Sequence, residues 1–251
     1  MRVEAGNAAE SVANFGQVEV AVGRIATFVV SVALLVGLMM HALAPMAPYE
    51  SLTVDSPLTR IAIVGDSYTN GTDIGGQGAN AWTALALKTL ARQGVPVVAD
   101  VAAEGRAGYV VRGDRGSVFG DLAARAVKPD DELVVFYGSR NDQGIDPNVL
   151  GSMVYGAFSS ARGIAPAARL LVIGPPWPTA DVPPAVLQIR DTLAFQALIA
   201  GATFVDPIAQ RWFVDRPELI GSDGVHPTDA GNAYMADMIA PLILAQLPRP
   251  L

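Results

Sequence analysis

Five short runs rich in apolar and β-branched residues punctuate the chain: Arg60–Gly65 (RIAIVG), Val95–Ala102 (VPVVADVA), Asp131–Gly138 (DELVVFYG), Ala168–Pro176 (ARLLVIGPP) and Ala202–Pro207 (ATFVDP). Most of them close on Gly, Pro or Asp. Between and after them lie longer amphipathic stretches that predict helices over Ala79–Gln93, Val118–Val127, Pro147–Ile164, Pro183–Ala200 and Thr228–Leu247. Strands apolar on both faces and separated by helices predict a parallel sheet with right-handed crossovers, hence a three-layer α/β/α domain around a five-stranded parallel sheet. In such sheets ligands and chemistry gather at the carboxyl ends of the strands, so the residues just after each run are the ones to inspect.

Ahead of this pattern, Ile25–Leu43 (IATFVVSVALLVGLMMHAL) is nineteen residues without a formal charge. As a helix it spans about 30 Å, the thickness of a bilayer's hydrocarbon core, so the expectation is one N-terminal membrane helix. Arg24 flanks its start, and no Lys or Arg follows until Arg60. That asymmetry places the N-terminus in the cytoplasm and the bulk of the chain outside, Glu4, Glu10 and Glu19 weakening the contrast without reversing it. The expected organisation is a leader over 1–24, an anchor over 25–43, a Pro-containing tether over 44–58 and one folded domain over 59–251. A cleaved signal peptide is the alternative, since Ala42-Leu43-Ala44 fits a small-x-small cleavage site, though Pro45 beyond it impedes cleavage. A buried core helix is a third reading.

The 251-residue chain is 51% hydrophobic, which is ample for a core. Its net charge of −7, with no basic block, argues against a nucleic-acid partner. The absence of cysteine excludes disulfides, thiolate metal sites, a cysteine nucleophile and lipidation on Cys.

After the first run stands Gly65-Asp66-Ser67, which sets a serine hydroxyl at the sheet edge, a placement suited to a nucleophile. In isolation the same tripeptide is more commonly a strand-ending turn with Asp66 or Ser67 capping a helix. Of the two histidines, His41 lies in the apolar segment, leaving His226 as the one available to the folded domain. Asp223, three residues before it in a Gly- and Pro-bounded loop, can orient one ring nitrogen while the other faces a serine. The plainer readings are a structural histidine and an Asx turn at Asp223.

GDSYTNG (65–71), AAEGRAGY (102–109), GSRND (138–142) and SDGVHPTDAG (222–231) together resemble, in order, the sequence blocks of the SGNH (GDSL-like) serine hydrolases. The resemblance implies a flavodoxin-like α/β/α fold and a triad of Ser67 as nucleophile, His226 as general base and Asp223 as its support. It also implies an oxyanion hole from Ser67, Gly108 and Asn141, with Gly105 competing for the place of Gly108. Asp142 is expected to brace its loop. Two departures stand out: Ala103 where the family's second block often has Asn, and Ser139 at the usual Gly position of the third block, with Gly138 just before it.

The chemistry implied is ester hydrolysis outside the cytoplasm on a lipid, an acylated glycan or a small ester. An acyltransferase with the same triad and a non-catalytic envelope-binding module are the alternatives. No cofactor and no metal are expected. There is no complete G-x-G-x-x-G after a strand, no phosphate loop and no G-x-S-x-G elbow. Pro175-Pro176-Trp177-Pro178 is a candidate cleft wall, Trp82 and Trp212 are as readily core, and Arg106, Arg112, Arg115 and Arg140 lie near the site loops.

Overall fold

The computed structural model describes residues 58–247. The leader, the expected membrane helix over 25–43 and nearly all of the tether lie outside the described residues; within them no helix is long and apolar enough to cross a membrane.

The five runs form five strands: β1 (Thr59–Gly65), β2 (Val97–Ala103), β3 (Leu133–Tyr137), β4 (Arg169–Ile173) and β5 (Thr203–Val205). All pair in parallel, in the order β2-β1-β3-β4-β5. The helices are a single turn α1 (Ser67–Asn70), then α2 (Trp82–Arg92), α3 (Phe119–Ala126), α4 (Pro147–Ile164), α5 (Pro184–Ile199) and α6 (Asp229–Gln246). One face of the sheet, with Ala62, Val64, Val134 and Phe136, packs against α3, α4 and α5 through Phe119, Leu122, Leu150, Phe158 and Leu193. The other face, with Ile61, Ile63, Val135 and Tyr137, packs against α2 and α6 through Trp82, Leu90, Met235 and Ile239. Trp82 and Trp212 are therefore core. The expected three-layer α/β/α domain is present.

Two details depart from the sequence pattern. The second run is not buried on both faces: β2 is an edge strand whose Val98 and Val101 are exposed, and its Asp100 pairs with Arg60 of β1 at 2.6 Å. The helix expected from Ala79 begins at Trp82, because Gly78–Asn80 form a separate 3-10 turn and Ala81 is extended. The Asn232 side chain of α6 then accepts the Trp82 N–H at 3.2 Å, which fixes where α2 starts.

The segment between β5 and α6 is tied at its neck. Ile220 and Pro227 form an isolated antiparallel bridge. Gly221 N–H donates to the His226 carbonyl at 2.8 Å and Thr228 N–H to the Leu219 carbonyl at 2.9 Å. Thr228 also caps α6, its hydroxyl oxygen accepting the Gly231 N–H at 3.1 Å. Gly231 sits so close to the Leu219 carbonyl that a β-carbon would collide with backbone. Gly231→Ala should therefore lose about 1–3 kcal/mol of stability despite alanine's better helix propensity, measured as a lower urea midpoint.

Candidate active site

Ser67 begins α1 directly after β1, and the turn is held by the residue before it. Asp66 is the N-cap: its Oδ1 accepts the Tyr68 N–H at 3.0 Å. This single turn leaves the serine at the carboxyl end of β1, an interior strand between β2 and β3, and no acceptor takes its N–H among the described residues. The neck-tied loop brings His226 to it, with Nε2 3.1 Å from Ser67 Oγ. On the far side of the ring, Nδ1 lies 2.6 Å from Asp223 Oδ2. The other carboxylate oxygen of Asp223 accepts the N–H groups of Val225 and His226 at 2.9 and 3.0 Å. The predicted Asx turn and the predicted histidine support are thus one residue with two oxygens.

Burial works to raise the Asp223 carboxyl, but the hydrogen bonds from the His226 ring and from the His226 and Val225 backbone outweigh it and hold it at about 2. It is therefore a carboxylate at neutral pH. Tyr68 anchors the same loop from below, its hydroxyl donating to the Val225 carbonyl at 2.5 Å.

The loop after β3 brings Asn141 to the opposite side. Its Nδ2 donates to the Ala107 carbonyl at 2.9 Å and makes a longer contact of 3.4 Å with Asp66 Oδ2. The Ser139 hydroxyl, at the position where the sequence departs from the usual glycine, accepts the Asn141 N–H at 3.1 Å and so closes the turn itself. Asp142 braces the neighbouring loop as expected: its carboxylate accepts the N–H groups of Tyr109, Val110 and Val111 at 2.7, 3.0 and 2.9 Å.

Gly108 is where expectation and geometry part. Its N–H donates to the Val111 carbonyl at 2.8 Å, and its carbonyl accepts the Phe119 N–H at 2.8 Å. Its lack of a side chain is explained by Asp142, whose carboxylate occupies the space a β-carbon would need. Gly105 faces Asp114 in the same way.

Glu104 was not singled out in the sequence. It is fully buried behind Ala103 and its Oε1 accepts the N–H groups of Arg115 and Ser117, the latter at 3.2 Å. It braces the second block in the absence of the asparagine the family often carries there. A Glu beside a glycine-bearing turn has no signature in sequence alone.

Three of the four arginines near these loops are engaged locally: Arg106 with Asp114, Arg112 with the Gly116 carbonyl at 2.6 Å, and Arg115 with the Ala103 carbonyl at 3.0 Å. Arg140 instead lays its guanidinium over the Trp177 ring, 4.1 Å from the centroid, and makes the Pro175–Pro178 turn a wall beside the Asn141 loop. Among the described residues no group of three His, Asp or Glu side chains is placed to hold a metal ion.

The profile of the GDSL-like lipase/acylhydrolase family matches residues 63–234. The chain belongs to this family. A GDSL lipase of Mycobacterium tuberculosis is 60% identical over 224 residues, covering 88% of this chain and 97% of that protein. In fold, the GDSL-like domain is similar to a family two carbohydrate esterase from Clostridium thermocellum, with a TM-score of 0.59 at 16% identity over 75% of this chain and 65% of that one. It is also similar to an aryl esterase of M. smegmatis, with a TM-score of 0.54 at 19% identity over 75% of this chain and all of that one. The GDSL-like chain is an esterase/lipase-type serine hydrolase.

Within this GDSL-like site Asp66 has a distinct electrostatic state. Burial, set against the Tyr68 N–H and the charges of Arg140 and His226, raises its carboxyl to about 7. Between about pH 4 and pH 7 the folded protein therefore holds a proton that the unfolded chain has released, and this group's contribution to stability declines as pH rises through that window. Asp66→Asn should remove the decline. The urea midpoint of the variant, relative to wild type, rises from pH 5 to pH 7.5.

Proposed function

We propose that the protein cleaves carboxylic esters outside the cytoplasm through an acyl-enzyme on Ser67, with His226 as general base and acid and Asp223 as its fixed counter-charge. The observation that carries this reading is the unbroken chain Ser67 Oγ–His226 Nε2, 3.1 Å, and His226 Nδ1–Asp223 Oδ2, 2.6 Å. Nε2 takes the serine proton as Oγ attacks the ester carbonyl; the ionised Asp223 holds the ring tautomer and stabilises the imidazolium; Nε2 then returns the proton to the leaving oxygen. Water repeats the sequence to release the acid.

The negative charge on the carbonyl oxygen is met by the unspent N–H of Ser67 and by the Asn141 amide. The 3.4 Å contact of that amide with Asp66 is weak enough for an oxyanion to displace. Gly108 can serve as the third donor only by releasing its bond to Val111. The uncharged run Ile25–Leu43 with Arg24 on its leading side supports placement of the catalytic domain on the outer side of a membrane, anchored by that run or released by its cleavage.

Labelling with a fluorophosphonate probe tests the reading. Wild type should label, while Ser67→Ala and His226→Ala should not, with unfolding midpoints showing that both variants are folded. Asn141→Ala should still label but lose about 100- to 1,000-fold in kcat on a soluble ester, the usual cost of an oxyanion donor. A folded wild type inert to the probe and to esters would favour a binding module instead.

A further inference from the structure

A cavity of about 390 Å³ lies beside the loop that carries Asp223 and His226, within the size range of small-molecule sites. Its walls come from three places: Pro178 and Ala180 after β4, Phe213 and Val214 after β5, and Ile220 with Gly224 from the histidine loop itself. Each wall has a chain or ring neighbour in the site described above. Pro178 follows Trp177, which carries the Arg140 guanidinium. The Phe213 ring packs edge-on against Tyr68, next to the nucleophile, with centroids 6.2 Å apart. Gly224 separates Asp223 from Val225, and the space where its side chain would be is open.

The interior is mainly apolar, and the charged residues at its border have partners elsewhere. Asp215 pairs with Arg211 at 2.9 Å, and the Arg216 guanidinium lies over the Tyr234 ring at 4.6 Å. Such a cavity takes a neutral apolar group.

An ester offers two groups, and the proton path chooses between them. The carbonyl oxygen turns toward the Ser67 N–H and Asn141, on the side of β3. As the bond from Ser67 Oγ to the acyl carbon forms and the bond from that carbon to the alcohol oxygen breaks, the electron pair stays on the departing oxygen. That oxygen must lie within hydrogen-bond reach of His226 Nε2 to receive the proton taken from Ser67. The alcohol portion therefore leaves on the histidine side, and leaves uncharged.

We infer, resting on the hydrolase reading above, that this cavity is the subsite for the alcohol portion of the substrate and that the preferred leaving group is an apolar alcohol. The acyl-enzyme is then also resolved more readily by small apolar alcohols than by polyols, since the same subsite holds the incoming group.

Two series of esters, each kept below its solubility limit, on the full-length protein test this: butyrates of methanol through hexanol, and methyl esters of acetate through octanoate. In wild type kcat/KM should climb about fourfold per added methylene along the alcohol series until the cavity is filled. Val214→Trp, which fills the cavity, should flatten the alcohol series to under about 1.5-fold per methylene and leave the slope of the acyl series as in wild type. Ile220→Trp, from another wall, should do the same, and thermal unfolding identifies a variant that fails to fold. Flattening of the acyl series instead, or of neither, overturns the assignment while the hydrolase reading stands. A folded wild type that turns over no ester and does not label with the fluorophosphonate probe overturns both.

Discussion

A parallel sheet delivers all its strands to one edge, and the loops that leave this edge carry backbone donors that no neighbouring strand can satisfy. In this protein acidic side chains satisfy them, three of them buried and the fourth, Asp223, exposed. Asp66 takes the N–H of Tyr68, Asp142 those of Tyr109, Val110 and Val111, Glu104 those of Arg115 and Ser117, and Asp223 those of Val225 and His226. Each of these loops holds a residue of the site or borders one. Short acidic side chains thus do for the catalytic edge what ladder hydrogen bonds do for the sheet, and they fix backbone that would otherwise have to find water.

The same carboxylates show how environment separates one chemical group into different functions. Asp66 and Asp223 flank the same serine and histidine, yet burial drives one to about 7 while hydrogen bonds hold the other at about 2. Asp223 is a permanent charge facing an imidazole. Asp66 is a group on the verge of ionising, placed under the Ser67 turn, where the Tyr68 N–H and then the Arg140 charge offset part of the cost of burial.

Much of this was legible in the sequence. The strand runs and the spacing of Asp223 and His226 in a Gly- and Pro-bounded loop are local patterns, and local patterns survive folding. What was not legible depended on who sits beside whom. The run that becomes β2 is as apolar as its neighbours, but lies at an edge because of strand order. The start of α2 is set by Asn232, 150 positions away in the chain. Gly108 looks like a donor by its type and position, yet its N–H meets Val111 and its small size is demanded by Asp142. Glu104 carries no motif, since a bracing carboxylate is defined only by the donors that converge on it.

The tie between Ile220 and Pro227, with Gly221 bonded to His226 and Thr228 to Leu219, closes the histidine loop into a unit that includes its own acid. The Asp223–His226 geometry is internal to that unit, while the His226–Ser67 geometry crosses from it to the sheet. Disturbance of the surroundings therefore falls on the 3.1 Å contact before the 2.6 Å one. A shift of the loop would therefore act like a clutch: it would part His226 from Ser67 and the Val225 carbonyl from the Tyr68 hydroxyl together, while the Asp223–His226 pair would travel as one piece, and recovery would need only those two contacts to be remade.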